Sequence, residues 1–350
     1  MLGVNKRLQR AEVLRQRSLY CEALTEYEWA LNRLEKDTRG RLSCLIAIAD
    51  TKRMTGDFVG ASKTYTEAID TAKRLALVQS YNDARLGLAL ARRALGLWRE
   101  AFLHIRDVKQ YYLSVGDNHG YAFTLWAEAG TLRVKGDIKA CLETFKESAI
   151  LFKSQKDRNA EAYCLCGLGG ASRVAGNYRQ SLDYYKCANA VFSKGGALPH
   201  RGEVDRFGLA YSFCGIGNAY RMTAQYESAA QYFKKALYHY NIIGDIVSSA
   251  YTLWSYGMLC LLLGKLDAAS KYFNDSMAFF LKTNDVRGQA YGFLGLCQLA
   301  YLSADTQNSY KLLKKALNIT KKHSFLLEKC HAIHLLELLR GSETIPFNIP

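Results

Sequence analysis

The chain has 350 residues and a formal net charge of +15, with 47 lysines and arginines against 32 aspartates and glutamates. It contains no run of about 18 uninterrupted apolar residues, which argues against a membrane span. The basic excess favours acidic partners such as carboxylate-rich peptides, nucleic acid or anionic surfaces.

Helices are predicted from the first residues onward. The N-terminal segment MLGVNKRLQRAEVLRQR lacks the apolar core of a secretory signal, so we expect a cytoplasmic protein. We expect eight helix pairs, near residues 3–37, 39–76, 79–115, 118–155, 158–195, 203–243, 246–283 and 286–322. A final helix at 324–340 is expected to cap the stack, because an open terminal repeat would expose its apolar face. Residues 341–350 are expected to form a flexible tail or to dock as an extended strand.

A short turn joins the two helices of each pair. Its glycine adopts the left-handed conformation that ends a helix, and the next apolar residue packs back on the pair. The clearest turns are Gly56-Asp57-Phe58, Gly96-Leu97-Trp98, Gly136-Asp137-Ile138 and Gly176-Asn177-Tyr178. Weaker copies are predicted at Ala224-Gln225-Tyr226, Gly264-Lys265-Leu266 and Ala304-Asp305.

Small residues recur seven positions before each turn, in the first helix of each pair. Glycine inside a helix costs about 1 kcal/mol relative to alanine, so its use there indicates a close approach between helices. The residues at this position are Ala49, Ala89, Ala129, Gly169, Gly217, Gly257 and Cys297.

Arginine recurs three positions before the turns, at the end of the first helices. The copies are Arg15, Arg53, Arg93, Arg133, Arg173 and Arg221, with steps of 38, 40, 40, 40 and 48 residues. A fixed period of this size is typical of stacked supersecondary units. A residue repeated at the same position of every unit forms a line along one face of the stack, and we call this line the arginine ladder.

The combined pattern of small, aromatic and alanine positions resembles the tetratricopeptide repeat family. Its best copies are AYCLCGLGGASRVAGNYRQSLDYYKCA from Ala162 to Ala188 and AYSFCGIGNAYRMTAQYESAAQYFKKA from Ala210 to Ala236. The resemblance covers residues 3–322 and implies an all-α, right-handed α-solenoid of about eight helix pairs with a C-terminal capping helix. The spacing exceeds the family's usual period of about 34 residues, and the family's proline after the second helix is missing. Such long repeats look like those of cell-polarity scaffolds and bacterial peptide-sensing regulators.

One insertion interrupts the period, in the segment SKGGALPHRGEVDR at 193–206. Its glycines and Pro199 indicate a loop. The loop is either a tolerated surface insertion or a rim element that touches a ligand.

By resemblance, the first helix of each pair lines a concave surface, so the arginine ladder is expected to face a groove. Aromatic residues recur ten and seven positions earlier and are expected to form platforms in its C-terminal half. The predicted groove residues are Arg53, Arg93, Arg133, Arg173, Arg221, Asn218, Phe123, Trp126, Tyr163, Tyr211, Tyr251, Trp254 and Tyr291. The two positions that continue the arginine ladder are Leu261 and Tyr301, so the groove should become apolar and aromatic at its C-terminal end.

Structural explanations of both patterns remain open. Asp50 could neutralise Arg53 across a helical turn, and Glu128 or Glu161 could neutralise other arginines. The aromatic residues could equally pack between repeats.

The expected function is a non-enzymatic protein–protein interaction scaffold that binds an acidic peptide or protein segment in the groove. The alternatives are a nucleic-acid-binding solenoid that uses the same groove, favoured by its basic C-terminal helices, or a peptide-sensing regulator that acts through a partner. A homo-oligomer is a further alternative, in which the tail with Glu343 and Pro350 enters the groove of a neighbouring molecule.

No cofactor and no metal are expected. His331 and His334 share a helix face, but two ligands are too few for a zinc site, and we expect both histidines at the surface.

Overall fold

The computed structural model describes residues 2–36, 38–194, 204–341 and 345–350. Within these ranges the chain forms seventeen α-helices and no β-strand. The helices are α1 Leu2–Gln16, α2 Tyr20–Leu31, α3 Arg39–Met54, α4 Phe58–Arg74, α5 Val78–Ala94, α6 Trp98–Ser114, α7 Asn118–Lys135, α8 Ile138–Ser154, α9 Arg158–Val174, α10 Tyr178–Ser193, α11 Arg206–Met222, α12 Tyr226–Ile243, α13 Ile246–Leu262, α14 Leu266–Lys282, α15 Val286–Leu302, α16 Thr306–His323 and α17 Leu326–Gly341. Most of the predicted insertion, residues 195–203, lies outside the described ranges.

Consecutive helices pair across short turns, α1 with α2 and so on to α15 with α16, while α17 follows as a single helix. We number the pairs as units 1 to 8. The prediction of an all-α solenoid of eight helix pairs with a C-terminal helix is confirmed. In the part of the chain that the structure describes, no helix is both long enough and apolar enough to cross a bilayer.

The turn inside a unit both ends one helix and begins the next. In unit 2, Gly56 follows α3 with a φ of +85°, and the Asp57 carboxylate accepts a hydrogen bond from Gly60 N at 2.8 Å as the N-cap of α4. The weaker copies keep this geometry without glycine, since Ala224 and Ala304 have φ values of +57° and +62°. A residue with a Cβ in this conformation costs roughly 1–2 kcal/mol, which the surrounding helices must offset.

The small residues in the first helices are the positions where the two helices of a unit touch. A Cβ added at Gly169 would lie 2.7 Å from Tyr185, and one at Gly217 would lie 2.7 Å from Phe233. Tyr185 and Phe233 are buried members of the core that runs between the helices. The glycines therefore admit aromatic rings that a larger residue would exclude.

The solenoid coils so tightly that units five apart touch each other. Trp98 in unit 3 donates its indole N–H to the His323 carbonyl at the end of unit 8, at 3.0 Å. The Gly56 turn of unit 2 meets Val247 of unit 7, and the Gly136 turn of unit 4 meets Leu326 in α17. The concave wall is therefore an interior surface rather than an open groove, which the repeat pattern does not reveal.

The segment Ile345–Pro350 is packed inside the coil. Ile349 is fully buried, and Ile345 and Phe347 contact the apolar core of units 7 and 8. Of the two expectations for the tail, flexibility does not describe these residues, because their apolar side chains and backbone groups have partners in the chain's own interior. Residues 342–344, which include Glu343, lie outside the described ranges.

Replacing Gly217 by valine should destabilise the fold, because the new Cβ would meet the Phe233 ring at 2.7 Å and the Ala229 carbonyl at 3.3 Å. Overpacking of this kind costs about 1–3 kcal/mol, so the urea midpoint followed by circular dichroism should fall. The matched control is Gly3→Ala, whose added Cβ meets nothing within 4 Å and should gain up to about 1 kcal/mol from helix propensity. An unchanged midpoint for Gly217→Val would contradict the close-packing explanation.

Candidate functional site

Two adjoining cavities of the coil hold most of the predicted groove residues. Together with the space that residues 345–350 fill inside the coil, we call them the inner channel. Cavity A has a volume of about 500 Å³ and cavity B of about 350 Å³, and Arg93, Gly130, Arg133 and Tyr211 line both. Cavity A also contains the predicted residues Arg53, Phe123, Trp126 and Tyr163 in its wall. Cavity B also contains Arg173, Asn218, Tyr251, Trp254 and Tyr291. Arg221 lines neither cavity and is completely buried.

Each ladder arginine lies in the last turn of a first helix, and Arg93 and Arg133 reach toward the next unit. Arg93 Nη1 donates to the Ala127 carbonyl of α7 at 3.1 Å, beside Gly130. In the next unit, a Cβ at Gly170 would come within 2.7 Å of Arg133 Nη1. The guanidinium groups thus occupy notches that glycine leaves open in the neighbouring helix.

The ladder is neutralised at its first rungs and not at its centre. Arg15 pairs with Glu12 at 2.7 Å, and Arg53 lies 3.8 Å from Asp50. Within the described residues, Arg133 and Arg173 form no ion pair, and their Nε atoms are buried without a hydrogen-bond partner.

The predicted neutralisation by Asp50 is therefore present, but neutralisation by Glu128 is not. Glu128 pairs instead with Lys109 at 2.6 Å. Glu161 forms no ion pair with the ladder in the described part of the chain.

Charge repulsion acts on Arg93, the third arginine of the ladder. Burial, together with the charges of Arg133 and Arg53, lowers the pKa of Arg93 to about 9. A guanidinium with this pKa is still cationic at neutral pH. The centre of the inner channel therefore carries positive charge that the fold does not cancel.

Aromatic rings lie beside the arginines rather than mainly at the C-terminal end. Phe123 stacks on Trp126 with ring centroids 5.5 Å apart, and Phe123 is the more exposed of the two. At the other end, Trp254 is 4% exposed and donates its indole N–H to the Tyr291 carbonyl at 2.7 Å. The Phe123 platform of cavity A is thus open, whereas Trp254 and Tyr291 are buried in the core that borders cavity B.

The sequence interpretation missed the acidic groups of the inner channel. Aspartates recur about every 40 residues, immediately before the first helices, and cap them. This period was visible in the sequence and could have predicted them. Asp205 caps α11 and also accepts a hydrogen bond from Tyr163 in cavity A at 2.8 Å. Asp285 caps α15 in the wall of cavity B, where burial raises its pKa. Both carboxylates are engaged within the fold.

A further cation, Arg287, lines cavity B outside the ladder. It pairs through Nε with the fully buried Glu328 of α17 at 2.6 Å. This pair links unit 8 to α17, and no repeat position marks it in the sequence.

His331 departs from the expected surface position, since it is 7% exposed and lies between Tyr291 and Phe347. His334 is half-exposed. Among the described residues, no three histidine, cysteine or carboxylate side chains are placed to share a metal ion.

No family model and no curated protein matches the sequence. Several solved structures match nearly the whole chain. The Rap protein complexed with Competence and Sporulation Factor has a TM-score of 0.62 at 12% identity, over 98% of this chain and 99% of that one. The Rap conjugation gene regulator of the plasmid pLS20, in complex with the Phr* peptide, has a TM-score of 0.65 at 12% identity, over 98% and 99%. Cut9–Hcn1 has a TM-score of 0.59 at 15% identity, over 95% and 55%.

These similarities show the fold. The chain is a helical repeat solenoid of the tetratricopeptide type.

Replacing Arg133 or Arg173 by methionine should raise stability, because each change removes a cation that no carboxylate answers in the described residues. We expect a gain of about 1 kcal/mol in the free energy of unfolding, measured by urea denaturation. Arg93→Met is the matched control, and it should show no gain because it loses the hydrogen bond to Ala127. A loss of stability in all three variants would instead assign the ladder a purely structural role.

Burial lowers the pKa of His331 to about 4, so acid should destabilise the fold through this residue. Between about pH 6.5 and pH 4 the unfolded chain binds a proton that the folded chain does not, and stability falls by up to about 1.4 kcal/mol per pH unit. His331→Gln should lose this component. Burial also raises the pKa of Asp245 to about 6, and this makes acid stabilise the fold. Asp245 is present in both the original chain and His331→Gln, so the difference between their stability curves is due to His331. Parallel stability curves would contradict the assignment.

Proposed function

We propose that this chain is a non-enzymatic binding scaffold that holds an extended acidic segment of a peptide or protein in the inner channel. The observation that carries the proposal is the pair Arg133 and Arg173, whose guanidinium groups line the channel without an acidic partner in the described residues. A ligand carboxylate would supply the missing charge.

The energies favour an acidic ligand over an empty channel. Two guanidinium groups about 10 Å apart, the spacing of packed helices, repel by about 0.4 kcal/mol in water and roughly 1.7 kcal/mol at an effective dielectric of 20. A charge-assisted hydrogen bond contributes about 1.5–3 kcal/mol, and the planar fork of arginine matches a carboxylate. One or two ligand carboxylates would outweigh the repulsion that the fold tolerates.

The dimensions of the channel suit a chain segment rather than a folded domain. The two cavities, of about 500 and 350 Å³, adjoin through Arg93 and Arg133. Asn159 in cavity A has a buried Oδ1 with no hydrogen-bond partner, which fits an acceptor for a ligand N–H. Phe123 offers an exposed ring for an apolar ligand side chain.

The similar solved structures support the same class of ligand. One of the two Rap structures is a complex with the Phr* peptide, and it resembles this chain over its whole length. Shared fold alone does not transfer a ligand, so the support is for a peptide in general and the acidic character comes from the arginines.

Nucleic acid is the less favoured ligand of the channel. The lysines of the C-terminal helices, which first suggested it, lie exposed on the outside of α16 and α17 and do not line the cavities. They are Lys311, Lys314, Lys315, Lys321, Lys322 and Lys329. A nucleic acid bound through them would not need the arginine ladder.

Charge reversal in the double variant Arg133→Glu with Arg173→Glu should abolish binding of a fluorescein-labelled decapeptide of glutamates, measured by anisotropy. Loss of two charge-assisted hydrogen bonds predicts an affinity lower by at least about a hundredfold. The matched control, Arg158→Glu with Arg179→Glu, makes the same change of net charge at exposed positions away from the cavities and should bind within about threefold of the original chain.

The lysine double variant at Arg133 and Arg173 keeps both charges but loses the fork, so intermediate affinity is expected. Equal loss in the channel and control variants would indicate attraction by net charge alone. Binding of single-stranded RNA that survives the channel variant would assign nucleic acid to the outer lysines. Unchanged peptide affinity in the Arg133→Glu with Arg173→Glu variant, with intact helical circular dichroism, would contradict the proposal.

A further inference from the structure

The segment Ile345–Pro350 follows the inner channel from its apolar end toward the arginines. Ile345 and Phe347 pack on the core of units 7 and 8, and the Phe347 ring meets the His334 ring at 4.6 Å. Ile349 is fully buried against the same core. Pro350 lines cavity B, the cavity that contains Arg133 and Arg173. The segment therefore occupies the apolar part of the channel, with Pro350 in the same cavity as Arg133 and Arg173.

The contacts to this segment are those of a bound peptide. The Phe347 backbone N–H donates to Gln298 Oε1 at 2.6 Å, and Arg221 Nη2 donates to the Ile349 carbonyl at 2.9 Å. Gln298 and Arg221 are both fully buried, in the first helices of units 8 and 6. Side chains of two first helices thus read the backbone of an extended segment, which is how a channel holds a peptide of limited sequence specificity.

Arg221 also binds one side chain of the segment, that of Asn348. Its Nη1 donates to Asn348 Oδ1, and Asn348 Nδ2 donates back to the Arg221 carbonyl at 3.4 Å. Asn218 adds a third acceptor for the guanidinium, at 3.2 Å. Arg221 is the last rung of the ladder, so the position that an acidic ligand would occupy there is held by an asparagine of the chain itself.

The acceptors around Arg221 are all neutral. Burial and the charge of Arg173 lower the pKa of Arg221 to about 9, as expected for a guanidinium that no carboxylate faces. An aspartate at position 348 would have nearly the same shape as asparagine. It would exchange the 3.4 Å bond to the Arg221 carbonyl for an ion pair with the guanidinium, in which both partners are charged. The site therefore accepts asparagine but suits aspartate better.

We propose that residues 345–350 are an intrachain peptide ligand that occupies the apolar end of the inner channel, and that a partner segment with an apolar–Asp–apolar or apolar–Asn–apolar pattern displaces them from Gln298 and Arg221. This inference rests on the proposed function and extends it by naming the pattern of the partner. The neutral tail leaves Arg221 available to a stronger, acidic competitor. The partner's remaining carboxylates would then meet Arg173 and Arg133 beyond it.

The tail lowers the apparent affinity of any ligand that needs the same site. A ligand's apparent dissociation constant is its intrinsic value divided by the fraction of molecules whose site is free. If the tail occupies the site in about 90% of molecules or more, an external peptide binds at least about tenfold more weakly than it would to an empty site. Mutations in the tail therefore change the affinity for peptides added from outside.

The test uses the full chain and a fluorescein-labelled hexapeptide with the sequence of the tail, Ile-Pro-Phe-Asn-Ile-Pro, followed by anisotropy. The weakened-tail variant is Phe347→Ala with Asn348→Ala, and it should bind the hexapeptide at least about tenfold more tightly than the original chain. The strengthened-tail variant is Asn348→Asp, and it should bind the hexapeptide more weakly than the original chain. Tyr238→Ala, at an exposed site, is the control and should bind as the original chain does.

A hexapeptide with alanine in place of its phenylalanine and asparagine should bind none of the proteins. If the double variant does not fold, Asn348→Ala alone keeps the apolar anchors and should show a gain of about tenfold, the value of one hydrogen bond to a charged group. A folded weakened-tail variant that binds the hexapeptide no better than the original chain would overturn the inference. In that case the tail is only a structural plug.

The two proposals fail separately. The hexapeptide is used as its C-terminal amide and has no charged side chain, so it brings no carboxylate to Arg133 and Arg173 when it binds the weakened-tail variant. Hexapeptide binding without binding of the glutamate decapeptide would overturn the acidic-segment proposal and leave the tail site intact. The reverse result would overturn the tail site and leave the acidic-segment proposal.

Discussion

Contacts between units five apart turn the concave wall of this solenoid into an interior, and the remaining features depend on that closure. The Trp98 indole on the His323 carbonyl and the Gly56 turn on Val247 hold successive turns of the coil together. Enclosure limits the access of water to the guanidinium groups that line the wall. Charges that water would solvate on an open groove are therefore unfavourable here unless another group of the protein or a ligand pairs with them.

The arginines of the ladder have different partners along its length. The first rungs have carboxylates, Arg93 has a backbone carbonyl, and Arg221 has the tail. Only Arg133 and Arg173 are left without a hydrogen-bonded or ionic partner in the described residues. One repeated residue thus has structural roles at the ends of the ladder and a free charge at its centre. A repeat unit can be copied intact while its neighbours decide what the copy does.

The channel is divided into a charged part and an apolar part, and the chain fills only the apolar one. Leu261 and Tyr301, which stand where the ladder would continue, belong with the apolar core that receives Phe347 and Ile349. Burial of these side chains stabilises the docked tail, since an exposed apolar lining of this kind would be unfavourable in water. Within the described residues, no carboxylate forms an ion pair with Arg133 or Arg173 in the charged part. The same division therefore accounts for an internal occupant at one end and an external one at the other.

The sequence by itself determined the helices, their pairing, the turns and the inward phase of Arg53 to Arg221, because each follows from a local pattern repeated about every 40 residues. It also placed the small residues where aromatic rings such as Phe233 enter. Only the tertiary structure decided that the coil closes, that Glu128 pairs away from the ladder, and that residues 345–350 reach Arg221. Some of those contacts join positions more than a hundred residues apart, and the partner residues differ from one contact to the next. A contact whose residues are not repeated along the chain leaves no periodic pattern in the sequence, so only the tertiary structure shows it.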